Sequence, residues 1–358
     1  MLEGSIQTLT GLISPDETGF TLPVEHLLSD PTLNWTPPAE ASAREIYFVE
    51  LSNETIAYSR YYGLRSLAVG RLGKVGDAID EVDLFKQWGG GSVVDATGSA
   101  GGRDPVGLMR IVNATGINVV MTASAPASNG ADAASLNTSH EMAESIIREI
   151  TTGADGTQIK AGLISNDNGD GRSHTGLDTL QACALAHRST GAPVFIDASA
   201  NDDELHTVLE ALNELGVDLT AVTFLHMGSH PRSVVKAVVE SGCKVALDDF
   251  GLGIQPASDY TDHDSTERRI SSEESMLSTL EWLASEDHSN QVLLSQNINS
   301  ADRYTRHGGH GYFYLLANVV PRLKAMGFGE DMIEQLFVSN PADALKFRAP
   351  SLSAISAT

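Results

Sequence analysis

Along the chain, short apolar runs rich in β-branched residues alternate with longer stretches whose apolar positions recur at helical spacing. Strands buried on both faces read as continuous hydrophobic runs, and the helices that cover them read as one-sided stripes, so the alternation predicts repeated βα units and a parallel sheet. Eight such runs occur: Gly19–Val24, Gly91–Thr97, Ile117–Thr122, Ile159–Ile164, Pro193–Asp197, Leu219–His226, Lys244–Asp249 and Gln291–Gln296. Eight strands with interleaved helices predict a single (β/α)8 TIM barrel of the α/β class over residues 1–358, with a short N-terminal extension and C-terminal closing helices.

Between the runs, Asp203–Leu215 places Leu205, Leu209, Leu212 and Leu215 close to one helical face, and Gly216 supplies the stop. Asp178–Ser189 reads as a second helix ahead of Gly191, and Tyr312–Met326 and Glu330–Phe337 read as the closing pair. Gly251–Ser272 is rich in Asp, Ser, Thr and Gly with little periodicity, which predicts a long surface loop over the barrel mouth.

Charge narrows the partners. With 47 acidic against 23 basic residues and a net charge of -24, the surface repels polyanions, so nucleic acid and anionic membranes are not expected. A small-molecule substrate is expected instead, and a homodimer is compatible with the pattern. Cys183 and Cys243 fit no metal or redox spacing and read as small buried hydrophobes. Met1-Leu-Glu-Gly-Ser5 shows no basic region leading into an apolar run, so the expected location is the cytoplasm.

In such barrels the reactive groups sit at the carboxyl ends of the strands. Those positions are His26, Asp95, Ser124, Ser165, Asp197, His226, Asp248 with Asp249, and Asn297. Two histidines and several carboxylates converging on one end suggest a divalent-metal site or acid–base machinery, although each alone would more often satisfy a buried amide. By the period of two, only one of Asp248 and Asp249 faces the interior.

Gly19–His26, Gly102-Arg-Asp-Pro105, Ala114–Met121, Ala161-Gly-Leu-Ile164, Leu294-Ser295 and Asn340-Pro341 together make the chain similar to the phosphotriesterase family of the amidohydrolase superfamily. The resemblance covers nearly the whole length and implies an amidohydrolase-type barrel with a binuclear metal centre. Its ligand positions fall on Val24, His26, Ser165, Asp197, His226 and Asn297, of which only His26 and His226 keep the family's histidine. It also implies that Asp248 is the inward carboxylate, and that His310 and Tyr312 either line the entrance or shape a turn.

These replacements have physical consequences. Two adjacent cations need bridging negative charge, which the neutral Ser165 hydroxyl cannot supply, and Asn297 lacks the basicity of the aspartate it replaces. A binuclear centre is therefore not expected, and the cofactor is either none or a single zinc or manganese ion held weakly by His26, Asp197 and His226. The resemblance implies a diverged hydrolase of lactones, carboxylic esters or phosphoesters. The alternative is a metal-free barrel, using Asp197 and His226 with Asp248 for acid–base chemistry or binding a ligand without turnover. In either case Ser165, Asn297, His310 and Tyr312 are the expected substrate-binding side chains.

Overall fold

A computed structural model describes residues 2–30, 32, 37, 40–62, 66–125, 138–167, 176–197, 202–252 and 271–351. The segments 126–130 after the third predicted strand and 253–270 of the predicted mouth loop lie outside the described residues.

A two-stranded antiparallel hairpin, β1 (Ile6–Thr8) and β2 (Gly11–Ile13), precedes an eight-stranded parallel sheet. Its strands are β3 (Phe20–Glu25), β4 (Gly90–Asp95), β5 (Asn118–Ser124), β6 (Leu163–Ser165), β7 (Val194–Asp197), β8 (Val222–Leu225), β9 (Lys244–Leu247) and β10 (Val292–Leu294). Each pairs with its sequence neighbour, and the sheet curls into the predicted (β/α)8 barrel. Helices α1 (Ala41–Tyr47), α2 (Asn53–Tyr62), α3 (Leu67–Gly70) and α4 (Val75–Gln87) lie between β3 and β4. One helix then separates each pair of strands: α5 (Pro105–Thr115), α6 (Ser139–Thr151), α7 (Leu177–Thr190), α8 (Asp202–Glu214), α9 (Arg232–Glu240) and α10 (Glu273–Ser285). After β10 come α11 (Val320–Ala325), α12 (Glu330–Glu334) and α13 (Asn340–Leu345). No described helix is long and apolar enough to cross a membrane.

The closing helices are more broken than their periodicity predicts. π-helical turns at Leu315–Val319 and Gln335–Ser339 run directly into α11 and α13, which carry Pro321 and Pro341 in their first turns. Proline removes an N–H and crowds the carbonyl four residues back, and a widened turn absorbs that clash. Two strands also start later than predicted. Residues 159–162 are irregular, with Ala154 donating to Ile159 O and Gly162 to Met121 O, before β6 begins. Asp218 accepts from Thr220 N and holds Leu219–Ala221 in a 3-10 turn before β8.

One buried side chain from every barrel strand fills the interior: Val24, Val94, Val120, Leu163, Phe195, Leu225, Ala246 and Leu293. Ile6 of the hairpin and Ala342, Ala344 and Leu345 of α13 pack against this layer, so the barrel is a filled core rather than a pore.

The seam between β10 and β3 is closed from the side. Asn297 N donates to Val24 O and His26 N to Ile298 O, both at 3.1 Å. Ser295 Oγ accepts from Val24 N at 3.0 Å, with its own proton in reach of Val24 O and Glu25 Oε1. Glu25, fully buried, accepts from Gln296 N at 2.9 Å and Ile298 N at 2.7 Å. Burial pushes its carboxyl up to about 7, against the pull of these donors.

Arg103, from the loop after β4, uses all five of its N–H groups. It binds Glu149 of α6 twice at 2.8 Å, Asp155 twice at 2.9 Å and Thr122 O of β5 at 2.6 Å. Its side chain is wholly buried.

Two predictions follow from these contacts. Arg103→Met should cost about 3–5 kcal/mol, because Glu149 is then left buried without its cation; a urea midpoint shift worth less than about 1 kcal/mol, with the m-value unchanged, refutes it. The second concerns pH. Glu25 titrates at 4.5 when unfolded and about 7 when folded, so its contribution to stability is complete below pH 4.5 and lost as pH rises to 7. The span is about 3 kcal/mol. Glu25→Gln should be less stable at pH 5 yet flatter by nearly one proton up to pH 7.5; an unchanged slope removes Glu25 as the source.

Candidate active site at the barrel mouth

Moving two residues along each strand from the apolar layer keeps the inward face. The chemistry therefore changes abruptly at that step, from Leu163 to Ser165, Phe195 to Asp197, Ala246 to Asp248 and Leu293 to Ser295. His226 reaches the same level differently. It follows Leu225 at the end of β8 with φ 61, a left-handed conformation uncommon outside glycine and asparagine, and this turns its ring toward its neighbours.

His226 Nδ1 lies 2.8 Å from Asp248 Oδ2, and the same oxygen accepts from His226 N at 3.3 Å. Its Nε2 lies 3.8 Å from Asp197 Oδ1. The carboxylate that orients the imidazole is therefore Asp248, whereas the sequence suggested Asp197; the Asp197 contact is too long for a direct hydrogen bond. The Asp248 side chain is fully buried, and His226 and Asp197 are nearly so. The close approach places Asp248 beside the ring without the alignment of a hydrogen bond, so it does not by itself fix which nitrogen carries the proton. Asp197 N in turn donates to Asn166 Oδ1 at 2.7 Å. Asp249 Oδ2 accepts from Ser271 N at 3.1 Å.

The other retained histidine belongs to a second chain of contacts. His26, half-buried beyond the end of β3, has Nδ1 2.9 Å from Thr97 Oγ1, which donates to Asp95 Oδ1 at 2.8 Å. The same Asp95 oxygen accepts from Leu27 N at 3.1 Å. Burial pushes the Asp95 carboxyl up to about 7, opposed by these donors and by Arg103.

Four other expected positions take specific places. Ser165 Oγ accepts from Asp167 N at 3.1 Å, and Asn297 O accepts from Arg303 Nη1 at 2.8 Å. Tyr312 does not line the entrance: it is fully buried, donating to His26 O at 2.6 Å, because its ring fills the space behind the β3 seam. His310 lies against Gly251, where a Cβ would meet its ring at 2.7 Å. Burial, with help from Arg303, lowers the His310 imidazole to about 4, so it is neutral at ordinary pH.

A binuclear metal centre does not fit these residues. Val24 belongs to the apolar layer and offers no ligating atom, and Ser165 is a neutral hydroxyl already engaged by a backbone amide. Among the described residues, one group of three acidic or imidazole side chains brings its ligand atoms within 4.8 Å of one another: His226, Asp248 and Asp249. The expected trio of His26, Asp197 and His226 is not gathered in this way, since His26 turns its Nδ1 to Thr97. Thr97 and Asn166 were not singled out from sequence; a hydroxyl two residues beyond a strand-end aspartate was the available signal for Thr97.

Comparison with known proteins gives the same architecture. The chain is 26% identical over 363 residues to human N-acetyltaurine hydrolase, covering 97% of this chain and 99% of the relative. Among solved structures, a resiniferatoxin-binding protein from Rhodobacter sphaeroides superposes with a TM-score of 0.83 at 29% identity, covering 96% of this chain and 95% of that one. A lactonase from Listeria monocytogenes shares the fold at 22% identity, with a TM-score of 0.73 over 96% of this chain and 100% of the other. Residues 4–345 match the sequence profile of one family along almost the whole barrel, and the chain belongs to the phosphotriesterase family.

Proposed function

We propose that this chain is a hydrolase that cleaves a lactone, carboxylic ester, amide or phosphoester with the acid–base chemistry of its own side chains, using at most one metal ion. Family membership and a relative named N-acetyltaurine hydrolase support hydrolysis. The observation that carries the mechanism is the 2.8 Å contact between Asp248 Oδ2 and His226 Nδ1. In this reading the negative charge of Asp248 faces Nδ1, and Nε2 is the nitrogen that takes a proton from water. Asp197, 3.8 Å across, is spaced to hold that same water between its carboxylate and the ring. As the water attacks, Asp248 stabilises the imidazolium, and His226 returns the proton to the departing oxygen or nitrogen. A second reading, favoured by the clustering of His226, Asp248 and Asp249, gives one zinc or manganese ion to those residues, where it would polarise a carbonyl or phosphoryl oxygen.

His226→Asn should lower kcat by about a hundredfold to ten-thousandfold, and Asp248→Asn should approach that loss because it removes the negative charge that faces the imidazolium. Assays against a panel of lactones, aryl esters, phosphoesters and N-acyl amides, with circular dichroism as the check on folding, test this. If both variants keep turnover within a few-fold, the pair is structural. Elemental measurement after mild dialysis should find fewer than two equivalents of transition metal per chain; two equivalents would refute the argument from Val24 and Ser165.

A further inference from the structure

The ladder between β6 and β7 ends in an unusual rung. Asn166 N donates to Phe195 O at 3.4 Å, and in a regular parallel pair Asp197 N would then give its proton to the Asn166 backbone carbonyl. It goes to the side chain instead, meeting Asn166 Oδ1 at 2.7 Å. β6 stops at Ser165, whereas β7 runs on to Asp197, which is paired on its other edge with Leu225 of β8. The last residue of β7 is thus held by a strand on one side and by a single buried amide, 1% exposed, on the other. The bond calls for an acceptor on the γ carbon. Leucine has the outline of asparagine without that oxygen, and aspartate has the oxygen but would bring a further negative charge to Asp197.

We infer that Asn166 is a positioning residue for hydrolysis: by holding the backbone of Asp197 at the end of β7, it sets the 3.8 Å spacing between Asp197 Oδ1 and His226 Nε2. The inference rests on the water-holding role proposed above for that pair. Asn166 acts through Asp197, so its removal lets the carboxylate drift against the ring while the groups themselves stay in place. A displacement of about 1 Å at a reacting pair costs on the order of a hundredfold in rate, and it falls on kcat because the water, not the substrate, is misplaced.

The test uses the full chain labelled with nitrogen-15 in its aspartates and histidines. In Asn166→Leu the Asp197 amide resonance should move and its hydrogen should exchange with solvent about tenfold faster, the loss of one hydrogen bond. The His226 ring resonances should move with it. Those of His187 should not, since that ring meets Ala192 O at 2.7 Å ahead of the start of β7 and reports any general disturbance of the barrel. Asn166→Ser, whose oxygen sits on the β carbon and falls short, should give the same pattern and serves if leucine prevents folding. On whichever panel substrate the parent turns over best, Asn166→Leu should lower kcat roughly a hundredfold with KM within a few-fold. Asn166→Asp, which returns the acceptor, should restore the Asp197 amide and most of kcat. An Asp197 amide that is unchanged in the leucine and serine variants overturns the inference without any assay, as do His226 resonances that stay put while the amide moves. Shifted resonances with kcat within a few-fold of the parent overturn the role in hydrolysis. The hydrolytic reading itself fails only by the His226 and Asp248 substitutions, so the two failures are distinguishable.

Discussion

Everything at the mouth of this barrel depends on how its last strand meets its first. A parallel barrel must join strands from opposite ends of the chain, and here that joint rests on Glu25, buried and surrounded by donors from Ser295, Gln296 and Ile298. The same joint fixes the backbone at Val24 and His26, so the alignment of the first strand end relative to the last is set by a carboxyl that takes no part in the proposed chemistry. Burying an acid is unfavourable unless its hydrogen bonds are made, and three donors from one loop make them. Arg103 does comparable work after β4, joining β5 to α6 through three hydrogen bonds.

The change from apolar to acidic within two residues along the strands separates stability from chemistry. Below it, Val24, Phe195 and Leu225 belong to a packed layer, and a histidine at position 24 would put a polar ring into that layer. Above it, Asp197 and Asp248 both approach the His226 ring, at 3.8 and 2.8 Å. Membership of a metallohydrolase family and a donor set unsuited to two metals are thus compatible: the barrel has kept the geometry that brings strand ends together while the side chains there have changed.

The barrel was legible because its strands are buried on both faces and so announce themselves as continuous apolar runs. Strand starts were less so. Residues 159–162 and 219–221 are apolar enough for strands, but local capping by Asp218 and the turn around Ala154 hold them back. The β1–β2 hairpin left no alternation long enough to read in three-residue strands. At the site, the residue types were visible and the pairing was not. Asp197 and Asp248 both flank His226 on adjacent strands, and the left-handed turn at His226, which sequence does not reveal in a histidine, brings Asp248 closer. Tyr312 sits beside His310 in a glycine-rich stretch that reads as an exposed turn, yet its hydroxyl fits a buried carbonyl.

That left-handed turn at His226 has a consequence for how the protein can change. A residue with a Cβ in this conformation costs on the order of 1 kcal/mol relative to glycine. Selection for heat resistance alone would therefore favour glycine or asparagine at position 226, relaxing the backbone while discarding the imidazole. In the hydrolase proposed here, robustness and reactivity pull in opposite directions at this one residue.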